Sequence, residues 1–111
     1  MTTEVLQQNL YTTPTAENFG NETTISDVDD KGRPVRFVLL TDGRVAKVRE
    51  GRGKDVEQAT MISNGNQSKY LSAMMSATIE IDGKNLIMED LADLMMKDYM
   101  RLHVAFAEIN F

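Results

Sequence analysis

The sequence predicts an α+β fold: a β-hairpin or three-stranded meander, followed by a bundle of three to four helices packed on one of its faces. Two β-branched and aromatic runs, "VRFVLL" at 35–40 and "VAKVRE" at 45–50, flank Asp42-Gly43, the strongest short-range hairpin signal. Beyond residue 54, apolar residues recur at three- and four-residue intervals, the period of an amphipathic helix. Turn-forming Asn-Gly and Asp-Gly pairs at 64–65 and 82–83 divide that stretch into short helices.

The chain divides into a polar N-terminal arm, residues 1–33, and a single α+β domain, residues 34–111, with the hairpin at 35–50 and the helical part at 54–111. The arm is rich in Thr, Asn and Gln and has no sustained period, the composition of a flexible segment. Leu6, Leu10, Tyr11 and Phe19 are its anchors if it orders on a partner. A short strand near 23–28 is also expected, since "DDKG" would turn it into the run beginning at Pro34. Pro34 precedes the first hairpin strand, where its missing donor costs least. In "VAKVRE", Val45 and Val48 set against Lys47 and Arg49 predict one buried and one wet face. Both central residues of the Asp42-Gly43 turn are expected at positive φ.

In the helical part, Val56, Ala59 and Thr60 space as one face before "SNGN" breaks the helix at 64–66. Tyr70, Leu71, Met74, Met75, Thr78 and Ile79 mark a second amphipathic helix. It runs into "IEIDGKNLI", where Asp82-Gly83 reads as a tight turn flanked by a short β-like pair. "MEDLADLMM" restarts a helix, with Glu89 and Asp90 in its first turn, favourably placed against the dipole. Tyr99, Leu102, Phe106 and Ile109 continue at helical spacing, and Asp98 either starts a separate last helix or lies within one bent helix.

Composition narrows the function classes. At 111 residues, 41% hydrophobic and 26% charged, the chain has enough length for one modest core. The absence of Cys removes thiol nucleophiles, disulfides and Cys-based zinc sites, and a single histidine, His103, removes multi-histidine sites. No apolar run approaches the roughly 18 residues of a membrane span. The first ten residues lack the basic start and apolar core of a secretory signal, so a cytosolic location is expected. The net charge of −5 is uneven: six acids against two bases in 1–34, four against six in 35–58, and seven against four in 59–111. Only Arg44, Lys47, Arg49, Arg52 and Lys54 could serve nucleic acid, and no aromatic sits among them for base stacking.

One stretch invites a chemical reading. In "VREGRGKDVEQA", residues 48–59, Gly51, Gly53 and Lys54 lie between a strand and a helix, where a phosphate loop would lie. A Walker loop needs four residues between its glycines and then Lys-Ser/Thr. Here the glycines are two apart and Asp55 follows Lys54, so the stretch reads as a corner, with Asp55 in the first helical turn. His103 reads as a surface or boundary residue, and the paired carboxylates Glu80/Asp82 and Glu89/Asp90/Asp93 as solvated turn and helix-start residues. No catalytic group, metal site or cofactor is expected.

Seven of the eight methionines fall between residues 61 and 100. The adjacent pairs Met74-Met75 and Met95-Met96 cannot both face one narrow stripe: either the helices are buried on a wide face, or one Met of each pair lies at a surface covered by another protein. The candidate partner-binding residues are Tyr70, Leu71, Met74, Met75, Leu91, Leu94, Met95, Met96, Tyr99 and Leu102.

Residues 44–111 carry a series of short motifs: Arg49-Glu50 at a strand end, Gly53-Lys54-Asp55 at a helix start, Ile81 to Lys84 ("IDGK"), Glu89 to Leu91 ("EDL"), Asp98, and Asn110-Phe111. In this series the chain resembles the small tail assembly chaperones of Mu-like myophages. The polar arm departs from that pattern. The resemblance implies a non-enzymatic protein in the cytoplasm of the bacterial host. It would bind the tape measure protein, a long aggregation-prone helical chain, until tail tube subunits polymerise around it. The tail tube protein and a second copy of the chain are further partner candidates. Methionines would let one groove accept successive apolar stripes of such a helix. The alternatives are a structural tail component and a small nucleic-acid-binding regulator.

Overall fold

A computed structural model describes residues 13–111. Strands β1 (Thr24–Val28), β2 (Pro34–Leu39) and β3 (Val45–Arg49) form an antiparallel meander. Helices α1 (Gly53–Ser63) and α2 (Gln67–Thr78) follow as an antiparallel pair. The chain then returns to the sheet as β4 (Ile79–Ile81) and β5 (Lys84–Asn85), giving the strand order β1-β2-β3-β4-β5. Short α3 (Met88–Asp93) and long α4 (Met96–Asn110) complete it, with α4 lying across β2 and β3. The fold is therefore α+β, as the strand and helix periods require.

The polar stretch joins the fold earlier than its composition suggests. From residue 13 onward it is part of the domain: β1 pairs with β2 from Thr24↔Val38 to Val28↔Pro34, and Phe19, on a 3-10 turn (Ala16–Phe19), is buried. The expected boundary at 33/34 thus falls inside a sheet. Leu6, Leu10 and Tyr11 lie outside the described residues.

The sheet is covered on both faces. Val38, Leu40, Ala46, Val48, Ile79 and Ile81 meet Met75, Leu91, Leu102, Ala105 and Phe106 in the main core. Val35 and Phe37 point the other way and pack with Phe19, with Ile25, Leu39 and Val45 at the edge. Val45 and Val48 therefore lie on opposite faces, because β-strand side chains alternate with a period of two and these positions differ by three. The expectation of one dry and one wet face gives way to two unequal cores.

The two Asp-Gly turns differ. Asp82 and Gly83 both take positive φ (56° and 79°), the two-residue hairpin geometry. At the first turn only Gly43 is left-handed (φ 93°). There Gly43 N–H donates to Leu40 O at 3.0 Å and Leu40 N–H to Arg44 O at 2.8 Å. That is a three-residue loop, a type I turn closed by one left-handed glycine, which needs positive φ at a single position. Asp42 supports it by accepting from Arg44 N–H at 3.0 Å.

The question of one bent helix or two resolves as two. Leu94 and Met95 are extended (ψ 151° and 145°), and α4 begins at Met96. Asp98, 4% exposed, explains the new start: its carboxylate accepts from Thr41 N–H at 3.0 Å and Thr41 Oγ1–H at 2.8 Å. Arg101 donates to Leu39 O at 2.9 Å. These bonds tie the first turn of α4 to the end of β2 and the loop after it. Asp98→Ala leaves the Thr41 donors unpaired and should lower the urea-unfolding free energy by about 2 kcal/mol. The control Asp93→Ala, on the exposed face of α3, should change it by less than about 0.5 kcal/mol.

Candidate functional site

The strand-to-helix corner is occupied by the chain's own carboxylate. Arg49, the last residue of β3, presents both guanidinium nitrogens to Asp55: Nη1 to Oδ2 and Nη2 to Oδ1, each 3.0 Å. Nη1 also donates to Glu50 O at 3.0 Å, and Nη2 to Ala77 O at 2.8 Å. Asp55 Oδ2 accepts in addition from Arg52 N–H at 2.8 Å, satisfying the first turn of α1. A phosphate would have to displace this carboxylate. Gly51 is needed for close approach rather than for a ligand: its N–H donates to Asn110 Oδ1 at 2.7 Å, and a Cβ there would lie 3.3 Å from that oxygen.

Asp55 also reorients α1. The inward-facing residues are Asp55, Ala59 and Ser63, at i, i+4 and i+8, whereas Val56 is 44% exposed and Thr60 is exposed. The face expected from Val56, Ala59 and Thr60 is thus rotated, because the carboxylate must turn in to meet Arg49. Burial, the largest influence, pushes the Asp55 carboxyl up; the Arg49 hydrogen bonds, the Arg52 amide and the Arg49 and Lys54 charges outweigh it and hold it below the usual value.

The basic residues do not assemble into a strip. Arg49 is committed to Asp55, Arg44 to Asp42 at 2.7 Å and Arg52 to Glu50 at 3.6 Å, while Lys47 stands opposite Glu80 in the β3–β4 register. Each of these four cations has an acid beside it, while Lys54, the fifth, is exposed on the first turn of α1. His103 is half-buried on α4.

The ten candidate partner-binding residues separate by exposure. Met75, Leu91 and Leu102 are fully buried in the main core and leave the candidate set, because a partner could reach them only by opening it. Leu71, Met74, Leu94 and Tyr99 pack against that core at its margin, Tyr99 with its hydroxyl 3.2 Å from Ser72 Oγ. Tyr70 is half-buried at the start of α2. Only Met95 (63%) and Met96 (82%) stand open. The pair Met74-Met75 thus belongs to the core and its margin, and Met95-Met96 to the surface.

The sequence pattern alone did not single out the rest of the surface that Met96 begins. Met96, Met100 (49%) and Val104 (51%) repeat every four residues along α4, and Ala107 and Phe111 (85%) continue the line. The stripe lies opposite the face formed by Leu102, Ala105 and Phe106, so α4 is apolar on both sides. An ordinary surface helix is polar on its outer side. The signal was available: positions 96, 100, 104 and 107 fill the helical spacing left open by 99, 102, 106 and 109. A second apolar surface is an open cleft of about 870 Å³ between α1, α2 and the β5–α3 segment, with Ile62, Leu86, Ile87 and Met88 among its lining.

Comparison with family models, curated proteins and solved structures gives no match. The α4 stripe is accordingly read from its own geometry.

The corner has a pH signature. A carboxyl whose folded pKa is lowered contributes stability above its unfolded pKa, about 3.9, and loses it as pH falls toward the folded value. Chemical unfolding between pH 7 and pH 2.5 should show stability falling below about pH 4, with a shallower fall in Asp55→Asn. Asp29 and Asp42, lowered chiefly by the Arg33 and Arg44 amides whose hydrogen bonds they accept, retain part of the slope in that variant. At pH 7, Asp55→Asn should be less stable by about 2–3 kcal/mol, since Arg49 loses its charge partner.

Proposed function

We propose that this chain is a non-enzymatic tail assembly chaperone that binds the phage tape measure protein and keeps it soluble in the bacterial cytoplasm during tail assembly. The observation that carries the reading is the exposed stripe of Met96, Met100 and Val104 on the outer face of a 15-residue helix, with exposed Met95 at its head. A fold that satisfies its core still leaves this line of apolar groups in water. Exposed apolar surface gathered on one element is the mark of a surface meant to be covered.

The chemistry suits a helical client. An unbranched methionine can follow a partner surface whose side chains change from one turn to the next, without a fixed pocket. The α4 line is an inclined ridge of four-residue steps, so it would pack along a client helix presenting apolar residues at i, i+4 and i+7. The acidic net charge keeps such a complex soluble and complements lysines flanking the client's apolar stripe. The motif series in residues 44–111 supplies the choice of client; the α4 surface supplies the means of holding it.

The test is co-expression with the tape measure protein encoded in the same genome. The client should stay in the supernatant with the wild-type chain. With Met96→Asp/Met100→Asp it should move to the pellet, while the stability of the variant stays within about 1 kcal/mol of wild type because both side chains already face water. A Met75→Asp variant should instead fail to fold. A client equally soluble with the Met96/Met100 variant would remove the α4 stripe from the reading. Co-purification with assembled tails in place of the free client would make the chain a structural tail component.

A further inference from the structure

The same stripe is complementary to itself, and we infer that in the absence of a client it is covered by α4 of a second copy, packed antiparallel about a two-fold axis. The inference stands on the geometry of α4 alone and does not require the client to be a tape measure protein.

The outer face of α4 carries an apolar line flanked on one side by Lys97 and Glu108. Arg101 shares that flank but is turned down onto Leu39 O at 2.9 Å. Lys97 and Glu108 are thus the exposed charges of the flank among the described residues. Glu108, its side chain 55% exposed, makes a 4.0 Å ion pair with Arg36. In an antiparallel helix pair, a flank meets the same flank of its mate. A two-fold axis placed midway between Lys97 and Glu108 brings Lys97 of each copy beside Glu108 of the other, giving two identical ion pairs. In a parallel pair each flank would meet the opposite flank of the mate, which carries Tyr99, His103 and Asn110, so neither Lys97 nor Glu108 would find an oppositely charged partner.

That register is also the one in which the apolar groups interdigitate. With the axis at the level between Leu102 and His103, Met96 of one copy comes level with position 109 of the other, between Ala107 and Phe111. Met100 comes level with position 105, between Val104 and Ala107. Met96 and Met100 of each copy thus straddle the small Ala107 of the other, and Met100 lies against Val104, on a helix about 22 Å long at 1.5 Å per residue. One register satisfies both charge and shape, as an isologous contact requires.

The contact is a weak one. An interface built on a single 15-residue helix is small beside the roughly 1,200–2,000 Å² of stable complexes, so it should form at micromolar or higher concentration and dissociate readily. That is the behaviour useful to a protein whose adhesive face must be shielded when idle and released to a client. The pairing would compete with client binding for the same side chains.

Sedimentation velocity of the full chain from about 5 to about 500 µM at low salt tests this, with variants that leave the apolar stripe untouched. Wild type should shift from monomer to dimer over that range. Lys97→Glu should weaken the dimer roughly fivefold to tenfold, since two attractive pairs become repulsive. Glu108→Lys should do the same, although it also meets Arg36. The double variant Lys97→Glu/Glu108→Lys should recover to within about threefold of wild type, because the swapped charges meet again. Circular dichroism checks that all are folded. A monomer at every concentration, or a dimer indifferent to the single reversals, overturns the proposal, as does a double variant no better than the singles. Client solubilisation is measured on the same variants and should persist in all, so loss of self-pairing and loss of the chaperone reading are separable results.

Discussion

The fork between Arg49 and Asp55 is the joint on which the arrangement of sheet and helices depends. It is made where β3 ends and α1 begins, and a further donor of Arg49 reaches the carbonyl of Ala77 at the far end of α2. One guanidinium therefore fixes the exit of the meander, the first turn of one helix and the last turn of the next. A bidentate arginine suits this because its donors lie in a rigid plane and saturate several acceptors at once. Asn110 closes the same corner from the C-terminal side through Gly51. Asp98 performs the matching task at the other end of β2, holding the turn at Thr41 to the start of α4.

These two polar anchors leave α4 with little freedom. Its inner side is committed to β2 and β3 through Leu102, Ala105 and Phe106, and its ends are tied down by Asp98 and Asn110. The outer side is consequently presented as a fixed rod rather than a mobile segment. A rigid apolar rod loses little conformational entropy on binding, and only the methionine side chains need adapt. The buried and the exposed apolar side chains thus lie on opposite faces of one helix.

The basic residues illustrate how local pairing distributes a charge excess that composition leaves open. Residues 35–58 have an excess of two positive charges, yet Arg44, Arg49 and Arg52 each hold a neighbouring carboxylate. Asp55 is the residue that spoils a phosphate loop in sequence, and in space it fills the position the anion would take. The corner resembles a nucleotide site because both need glycines and a helix start. It serves instead to join layers.

Much of the architecture was determined by local chemistry visible in the sequence: the meander from β-branched runs around turn-forming glycines, the helices from three- and four-residue spacing, and the breaks from Asn64-Gly65 and Asp82-Gly83. These features arise from backbone preferences that act over a few residues. Other features were decided only in the tertiary structure. Val45 and Val48 lie on opposite faces by strand alternation, but only the arrival of Phe19 from outside the hairpin gives the second face a core of its own. Asp55 turns inward because Arg49 waits there, rotating α1 away from its apolar face. The ten candidate residues scatter from fully buried to exposed because helical spacing identifies a stripe but not what lies opposite it. Periodicity marks which residues share a side; only the packing of α4 on the sheet determines which side meets water, and so leaves Met96, Met100 and Val104 exposed.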